Sequence, residues 1–260
     1  MDSVGQFYDS LADNYHLIAS GWDDEVRRQG QLLHTLLSKR FGIHPGARIL
    51  DCSCGIGTQA IRLALQGYQV TGADISPKEI ERAAIEARRL GADVAFKVAD
   101  FPAPVSKEEQ KFDAVISFDN AIAHLNVSED LQMAFGCMKQ KLATGGILLV
   151  SARDYDQLRK TKPTGTVPRM IEDDFGNRIY FQTWEWNDDG TGYFVNLFVL
   201  RQLESTWAGK PFQTKMTAFT ADEIMSAMKN AEFKDVSRLN PEESQYYQPV
   251  YAASIDRRTS

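Results

Sequence analysis

The residues best suited to chemistry are carboxylates and glycines at the ends of short apolar runs. Arg48-Ile49-Leu50-Asp51-Cys52-Ser53-Cys54-Gly55-Ile56-Gly57-Thr58 opens as a strand and breaks into Gly-x-Gly. The helical pattern Ala60, Ile61, Leu63, Ala64, Leu65 follows at once. Strand, glycine turn and helix bring the backbone close to a nucleotide-like ligand. Gly55-x-Gly57-x-x-Ala60 also fits a loose dinucleotide fingerprint, so the turn alone leaves both ligand types open. Asp51, four residues before the first glycine, is placed to meet a cationic or amino-bearing ligand. The next strand, Gln69 to Asp74, ends about 20 residues on in an acid suited to a ribose diol. Asp100-Phe101 closes a third strand, its acid placed to accept an adenine amino group and its ring to stack. Three acids at three successive strand ends form one ligand-facing edge.

A parallel sheet is what brings such acids together, and the pattern from His44-Pro45-Gly46 onward supplies one. Strands are expected at Arg48–Ser53, Gln69–Asp74, Val94–Ala99, Phe112–Phe118 and Ile147–Ala152. Between them come helices over Thr58–Gln66, Ser76-Pro77 to Leu90, with Pro77 at the first helical position, and Ser128–Leu142. Gly145-Gly146 reads as the turn into strand five. Phe112–Phe118 is almost wholly apolar, as a strand covered on both faces should be. Residues 153–219 leave the alternation: Phe181–Trp186, Tyr193–Leu203 and Gln213–Phe219 read as hairpin strands, with Pro163, Gly165 and Pro168 in the linker before them. A helix over Ala221–Asn230, capped by Thr220, and strands Lys234–Leu239 and Gln248–Ser254 close the core.

Apolar residues in 1–45 recur at helical spacing (Phe7, Tyr8, Leu11, Tyr15, Ile18, then Val26, Leu32, Leu33, Leu36, Leu37), predicting two amphipathic helices. Tyr8, Tyr15, His16 and Trp22 could form a lid whose rings enclose a cation. The domain reading is therefore an N-terminal helical lid (1–45), a core (46–153 and 220–260) and a β-rich insert (154–219) serving as substrate lid or oligomer surface.

Composition narrows the partners. The 260 residues are 43% hydrophobic, enough for a full core, and the net charge of −6 argues against a polyanion partner. Three cysteines, two of them in the glycine turn, make neither a disulfide framework nor a metal site. The N-terminus lacks a basic-then-apolar signal and no apolar run approaches the roughly 20 residues that span a bilayer, so a cytoplasmic location is expected.

Asp-x-x-x-Gly-x-Gly followed by the acid of the second strand resembles motif I and its successor in class I S-adenosylmethionine (SAM) methyltransferases. That resemblance implies a Rossmann-like α/β fold: a seven-stranded, mostly parallel sheet with helices on both faces and a final antiparallel hairpin. The cofactor-binding set it suggests is Cys54, Gly55 and Gly57 in the turn, with Asp51, Asp74, Ile75, Asp100 and Phe101 at the strand tips. Arg28 is added as a partner for the SAM carboxylate, and Asp119 and His124 at the methionyl end.

Asn120-Ala121-Ile122-Ala123-His124-Leu125 after strand four and Arg153-Asp154-Tyr155-Asp156 after strand five resemble glycine and glycine/sarcosine N-methyltransferases more narrowly. By that resemblance Arg153 binds the substrate carboxylate and Asn120 helps hold it. Independently, an arginine at a cleft edge is a ready bidentate clamp, unless Asp154 or Asp156 pairs with it instead. Tyr15, with Tyr8, is the candidate to orient the amine; methyl transfer needs alignment and a neutral amine more than a strong base. Asp119 departs from the family, which carries a small residue there, and puts a negative charge beside the substrate. The aromatic insert also admits a larger, flatter acceptor nitrogen or hydroxyl. Two other classes remain: an NAD(P)-binding reductase, against which stands the missing Tyr-x-x-x-Lys pair, and a non-catalytic SAM-binding scaffold. Nucleic-acid methylation is disfavoured, since Asn120-Ala121-Ile122-Ala123 stands where an Asn/Asp-Pro-Pro-aromatic motif would be.

Overall fold

A computed structural model describes residues 3–18, 21–100 and 110–256. Phe101 lies outside them, as does the side chain of Trp22.

The N-terminal segment forms helix α1 (Val4–Leu11), a 3-10 turn (Tyr15–Ile18), α2 (Trp22–Thr35) and a π-helical turn (Leu36–Arg40). β1 (Arg48–Asp51), α3 (Thr58–Leu65), β2 (Gln69–Asp74), α4 (Pro77–Leu90), β3 (Val94–Val98) and β4 (Phe112–Ser117) follow. After a 3-10 turn (Ala121–His124) come α5 (Ser128–Lys141), β5 (Leu142–Ser151) and α6 (Tyr155–Thr161). The next strands are β6 (Arg169–Ile171), β7 (Arg178–Trp186), β8 (Gly192–Leu203), β9 (Thr206–Ala208) and β10 (Pro211–Thr217). The chain closes with α7 (Ala221–Asn230), β11 (Lys234–Leu239), α8 (Pro241–Ser244) and β12 (Val250–Ser254).

The first sheet has the order β11-β12-β5-β4-β1-β2-β3. Pairings among β1 to β5 are parallel, and β12 runs antiparallel to both β5 and β11. Apolar side chains fill both of its faces, with Phe135, Met138 and Ile224 on one and Leu33, Leu37 and Leu63 on the other. Strand order reverses between β1 and β4, which opens the crevice where such sheets bind ligands.

β5 begins five residues earlier than the sequence predicts. Gly145-Gly146 is a bulge inside the strand rather than a turn before it: the β4 register jumps from Phe112 opposite Leu142 to Ala114 opposite Ile147. α6 was not expected, because a seven-residue helix with Asp154 as its N-cap is too short to show periodicity.

The insert forms a second, antiparallel sheet, β10-β8-β7-β6, with β9 on β8. Alternate residues of β7 and β8 (Tyr180, Trp184, Tyr193, Val195, Leu197) are buried, the period-2 pattern of a sheet covered on one face. Phe7, Leu11 and Leu17 cover part of that face, so α1 bridges β10 of the insert and α4 of the core. The 1–45 segment therefore divides in two. Residues 4–18 roof the crevice, whereas α2 belongs to the core, with Gly30 so close to α3 that a Cβ there would lie 2.1 Å from the Arg62 Cβ. His16 is buried against Phe175 and lines neither of the two cavities beneath α1.

Candidate active site

Two cavities meet beneath α1. The smaller, about 240 Å³, is walled by the glycine turn and the tips of β2 to β4. The larger, about 780 Å³, opens between the core and the buried face of the insert. Tyr8, Tyr15, Thr58 and Asp119 stand in both walls.

Gly55 has φ +52°, a left-handed conformation that glycine adopts without strain. Its N–H donates to Asp74 Oδ2 at 2.8 Å, and Ser76 N–H donates to Oδ1 at 3.0 Å. The acid of the second strand is thus locked to the turn after the first. Cys54, Gly55, Asp74, Ile75, Asp100, Asp119 and His124 all line the smaller cavity. Gly57 does not; it caps α3 with φ +91°, and a Cβ added there would lie 2.7 Å from the Ile61 side chain, which together explain a glycine at that position. Asp51 stands behind the wall, buried, with Oδ2 unpartnered among the described residues. Burial pushes its pKa up to about 8.

Asp119 is gripped from three sides: Gln59 Nε2 donates to Oδ2 at 2.8 Å, and the Tyr246 and Tyr247 hydroxyls donate to Oδ1, the latter at 2.7 Å. His124 shares a 2.8 Å hydrogen bond with the Tyr8 hydroxyl, and burial followed by the Arg153 charge lowers its pKa to about 4, leaving a neutral imidazole. Burial raises both Tyr8 and Tyr15 well above the usual phenol range, so they act as phenols and not as bases. With Tyr8 engaged by His124, Tyr15 is left as the phenol between the cavities that bonds to no other side chain among the described residues.

Arg153 faces the larger cavity. Its guanidinium donates to Tyr193 Oη at 2.7 Å and Gln182 Oε1 at 3.2 Å, and lies 4.6 Å from the Trp184 ring centre. Asp154 and Asp156 pair with Arg238 instead, and no carboxylate among the described residues pairs with Arg153. Asn120 is buried behind the wall: Oδ1 accepts the Arg153 backbone N–H at 3.0 Å and Nδ2 donates to Tyr155 Oη at 2.9 Å. The structure thus gives it a hold on Arg153 in place of the expected contact with the acceptor. Arg28 lies on the wall of the larger cavity, not of the smaller one where a SAM carboxylate was expected.

Sequence reasoning missed Tyr246 and Tyr247, which reach Asp119 from the far end of the chain, and Gln182, which no local motif marks. It also missed Glu79, whose sequence setting reads as an ordinary helix cap.

A family described as a methyltransferase domain matches residues 43–196, and the chain belongs to it, as a class I SAM-dependent methyltransferase. A glycine/sarcosine N-methyltransferase of Halorhodospira halochloris is 24% identical over 209 residues, covering 76% of this chain and 74% of that protein. Human glycine N-methyltransferase is 29% identical over 154 residues, covering 54% of this chain and only 49% of its own length. SAM-bound CalS10, an amino pentose methyltransferase from Micromonospora echinaspora, shares the fold at TM-score 0.73 and 16% identity over 88% of this chain and 91% of that one. The dinucleotide reading of the glycine turn gives way to this assignment.

The smaller cavity fits SAM. Asp74, Glu79, Asp100 and Asp119 line it, with no lysine or arginine among its described lining residues, which suits a sulfonium and an ammonium. When bound, SAM supplies an activated methyl group. The chain's own part would be to align it: Asp74 and the turn would hold the nucleoside side, and His124 and Asp119 would flank the passage into the larger cavity. Among the described residues, no helix is long and apolar enough to cross a membrane and no three His, Cys, Asp or Glu side chains cluster to hold a metal ion.

Proposed function

We propose that the enzyme methylates the amine nitrogen of a small molecule bearing a carboxylate, with glycine and sarcosine as the simplest candidates. The observation that carries this reading is Arg153. A guanidinium is always charged, and this one is held in place by Tyr193, Gln182 and Trp184 with no protein carboxylate among the described residues to neutralise it. It faces a cavity that meets the cofactor cavity at Tyr15 and Asp119. A carboxylate on Arg153 would leave the acceptor nitrogen to turn toward that junction, where the Tyr15 hydroxyl can orient it. The names of the two relatives above support the same substrate class.

A second reading keeps the carboxylate and enlarges the rest of the molecule. The acceptor cavity is more than three times the volume of the cofactor cavity and far larger than glycine. Its wall includes Tyr180, Tyr247 and, at the outer end, Arg169, which lies over the Tyr180 ring at 5.2 Å. An amino acid with an aromatic or anionic extension would use that space.

The test is turnover of SAM with glycine, sarcosine and dimethylglycine, alongside aromatic and acidic amino acids. Turnover of glycine or sarcosine supports the first reading, and turnover confined to the longer amino acids supports the second. Methylation of amines without a carboxylate at equal efficiency would overturn both.

A further inference from the structure

Glu79 sits at the third position of α4, in the sequence Ser76-Pro77-Lys78-Glu79. That is the pattern of a capping box, in which the N-cap hydroxyl accepts the glutamate's N–H and the glutamate side chain reaches back to the N-cap N–H. Complete boxes form at α1 (Ser3 with Gln6) and α7 (Thr220 with Glu223). At α4 only half of it forms. Ser76 Oγ accepts Glu79 N–H at 3.1 Å, but the Ser76 N–H donates to Asp74 Oδ1. Asp74 has taken the place that the glutamate would fill, and Glu79 is released from the helix end.

The released side chain is 1% exposed, and neither of its oxygens has a hydrogen-bond partner among the described residues. It lines the cofactor cavity beside Asp74, and a Cβ on Gly55 would lie 2.9 Å from Oε2. Burial, then the charges of Asp74 and Asp9, raise its pKa well above the usual carboxylate range. An unpartnered buried carboxyl group is costly to the ligand-free fold, and that cost is relieved by a ligand that brings a donor. Next to Asp74 and the glycine turn, the donor of the right chemistry is a sugar hydroxyl.

We propose that Glu79 is a second carboxyl group for the ribose of the cofactor, engaging one hydroxyl of the diol while Asp74 engages the other. Its effect on the two states is opposite in sign: it weakens the ligand-free fold and strengthens nucleoside binding. A merely structural side chain would stabilise the ligand-free fold instead.

The experiment titrates wild type, E79Q and E79M calorimetrically with S-adenosylhomocysteine and with 5′-methylthioadenosine, which keeps the ribose and lacks the amino-acid end. Ligand-free melting temperatures are measured in parallel. E79M is expected to weaken both ligands by the same factor, about 10- to 100-fold, and E79Q by less because its amide still accepts a hydrogen bond. Both variants are expected to melt at or above the wild-type temperature without ligand. Unchanged affinity, a loss seen with S-adenosylhomocysteine alone, or ligand-free melting below wild type would each overturn the proposal. The second of these would move Glu79 to the amino-acid end, and the third would make it structural.

Discussion

The two cavities share a wall and differ in almost everything else. The cofactor cavity is acidic and is built from the glycine turn and neighbouring strand tips, with Val4, Tyr8 and Tyr15 as its roof. The larger cavity carries Arg28, Arg153 and Arg169 against a single acid, Asp119, among its described lining residues, and draws on α1, α2, the insert and the segment before β12. Charge is sorted by ligand: carboxyl groups where a sulfonium and an ammonium would enter, guanidiniums where the acceptor's carboxylate is proposed to enter. Asp119, clamped by Gln59, Tyr246 and Tyr247, marks the boundary. The comparison teaches that a shared fold can hold its cofactor site in one local set of strand ends while the acceptor site is assembled from distant parts.

Breaking the larger cavity should have the largest effect. Arg153→Ala is expected to lower kcat/KM for a carboxylate-bearing acceptor by about 30-fold or more, the loss of a charged, well-held hydrogen-bonding pair. Affinity for S-adenosylhomocysteine by calorimetry should stay within about twofold, since Arg153 lines only the larger cavity. Equal losses in both would erase the division between the cavities.

Breaking the smaller cavity should do the reverse. Asp74→Ala would remove the proposed ribose acceptor and the tie to Gly55 and Ser76, at an expected cost of about 1–3 kcal/mol of SAM affinity. The acceptor KM measured at saturating SAM should change little. Unaltered SAM binding in the folded variant would refute the role given to the tip of β2.

At the shared wall, Tyr15→Phe is expected to lower kcat about fivefold, the worth of one neutral hydrogen bond, with cofactor affinity unchanged. A kcat equal to wild type would remove Tyr15 from amine positioning.

The smallest effect is on stability. His16 and His124 have folded-state pKa values lowered to about 4, so their contribution is present above the unfolded value near 6.5 and is lost as pH falls toward 4. Asp51 is raised to about 8, so its contribution is fully present below the unfolded carboxylate value and is lost as pH rises through 8. Asp51→Asn should therefore flatten the decline of the ligand-free melting temperature as pH rises toward 8. A decline that is as steep in the variant would assign it to other groups.

Much of the core was legible in the sequence. β2 and β11 match the expected bounds, the α3 start at Thr58 and the α7 span match as well, and the strand tips carry the expected acids. Local rules suffice there, because a period of two or 3.6 and a glycine turn are written in adjacent residues. Glu79 was illegible for the opposite reason: its local signal was strong and pointed to a cap, and a competing local contact, from Asp74 two residues before Ser76, took the N–H that the cap needs. Asn120 was read as an acceptor contact by its motif, yet the left-handed backbone at Asp119 and Asn120 (φ 57° and 70°) sets its amide under Arg153.

By itself, then, the sequence determined the alternating α/β core, the glycine turn and the row of acids along one sheet edge, since each depends on neighbours a few residues away. The tertiary structure alone decided which arginine stands without an acid among the described residues and how Tyr246 and Tyr247 come to hold Asp119. Those outcomes depend on which distant partner comes within hydrogen-bond reach, and no pattern along a single chain records that competition.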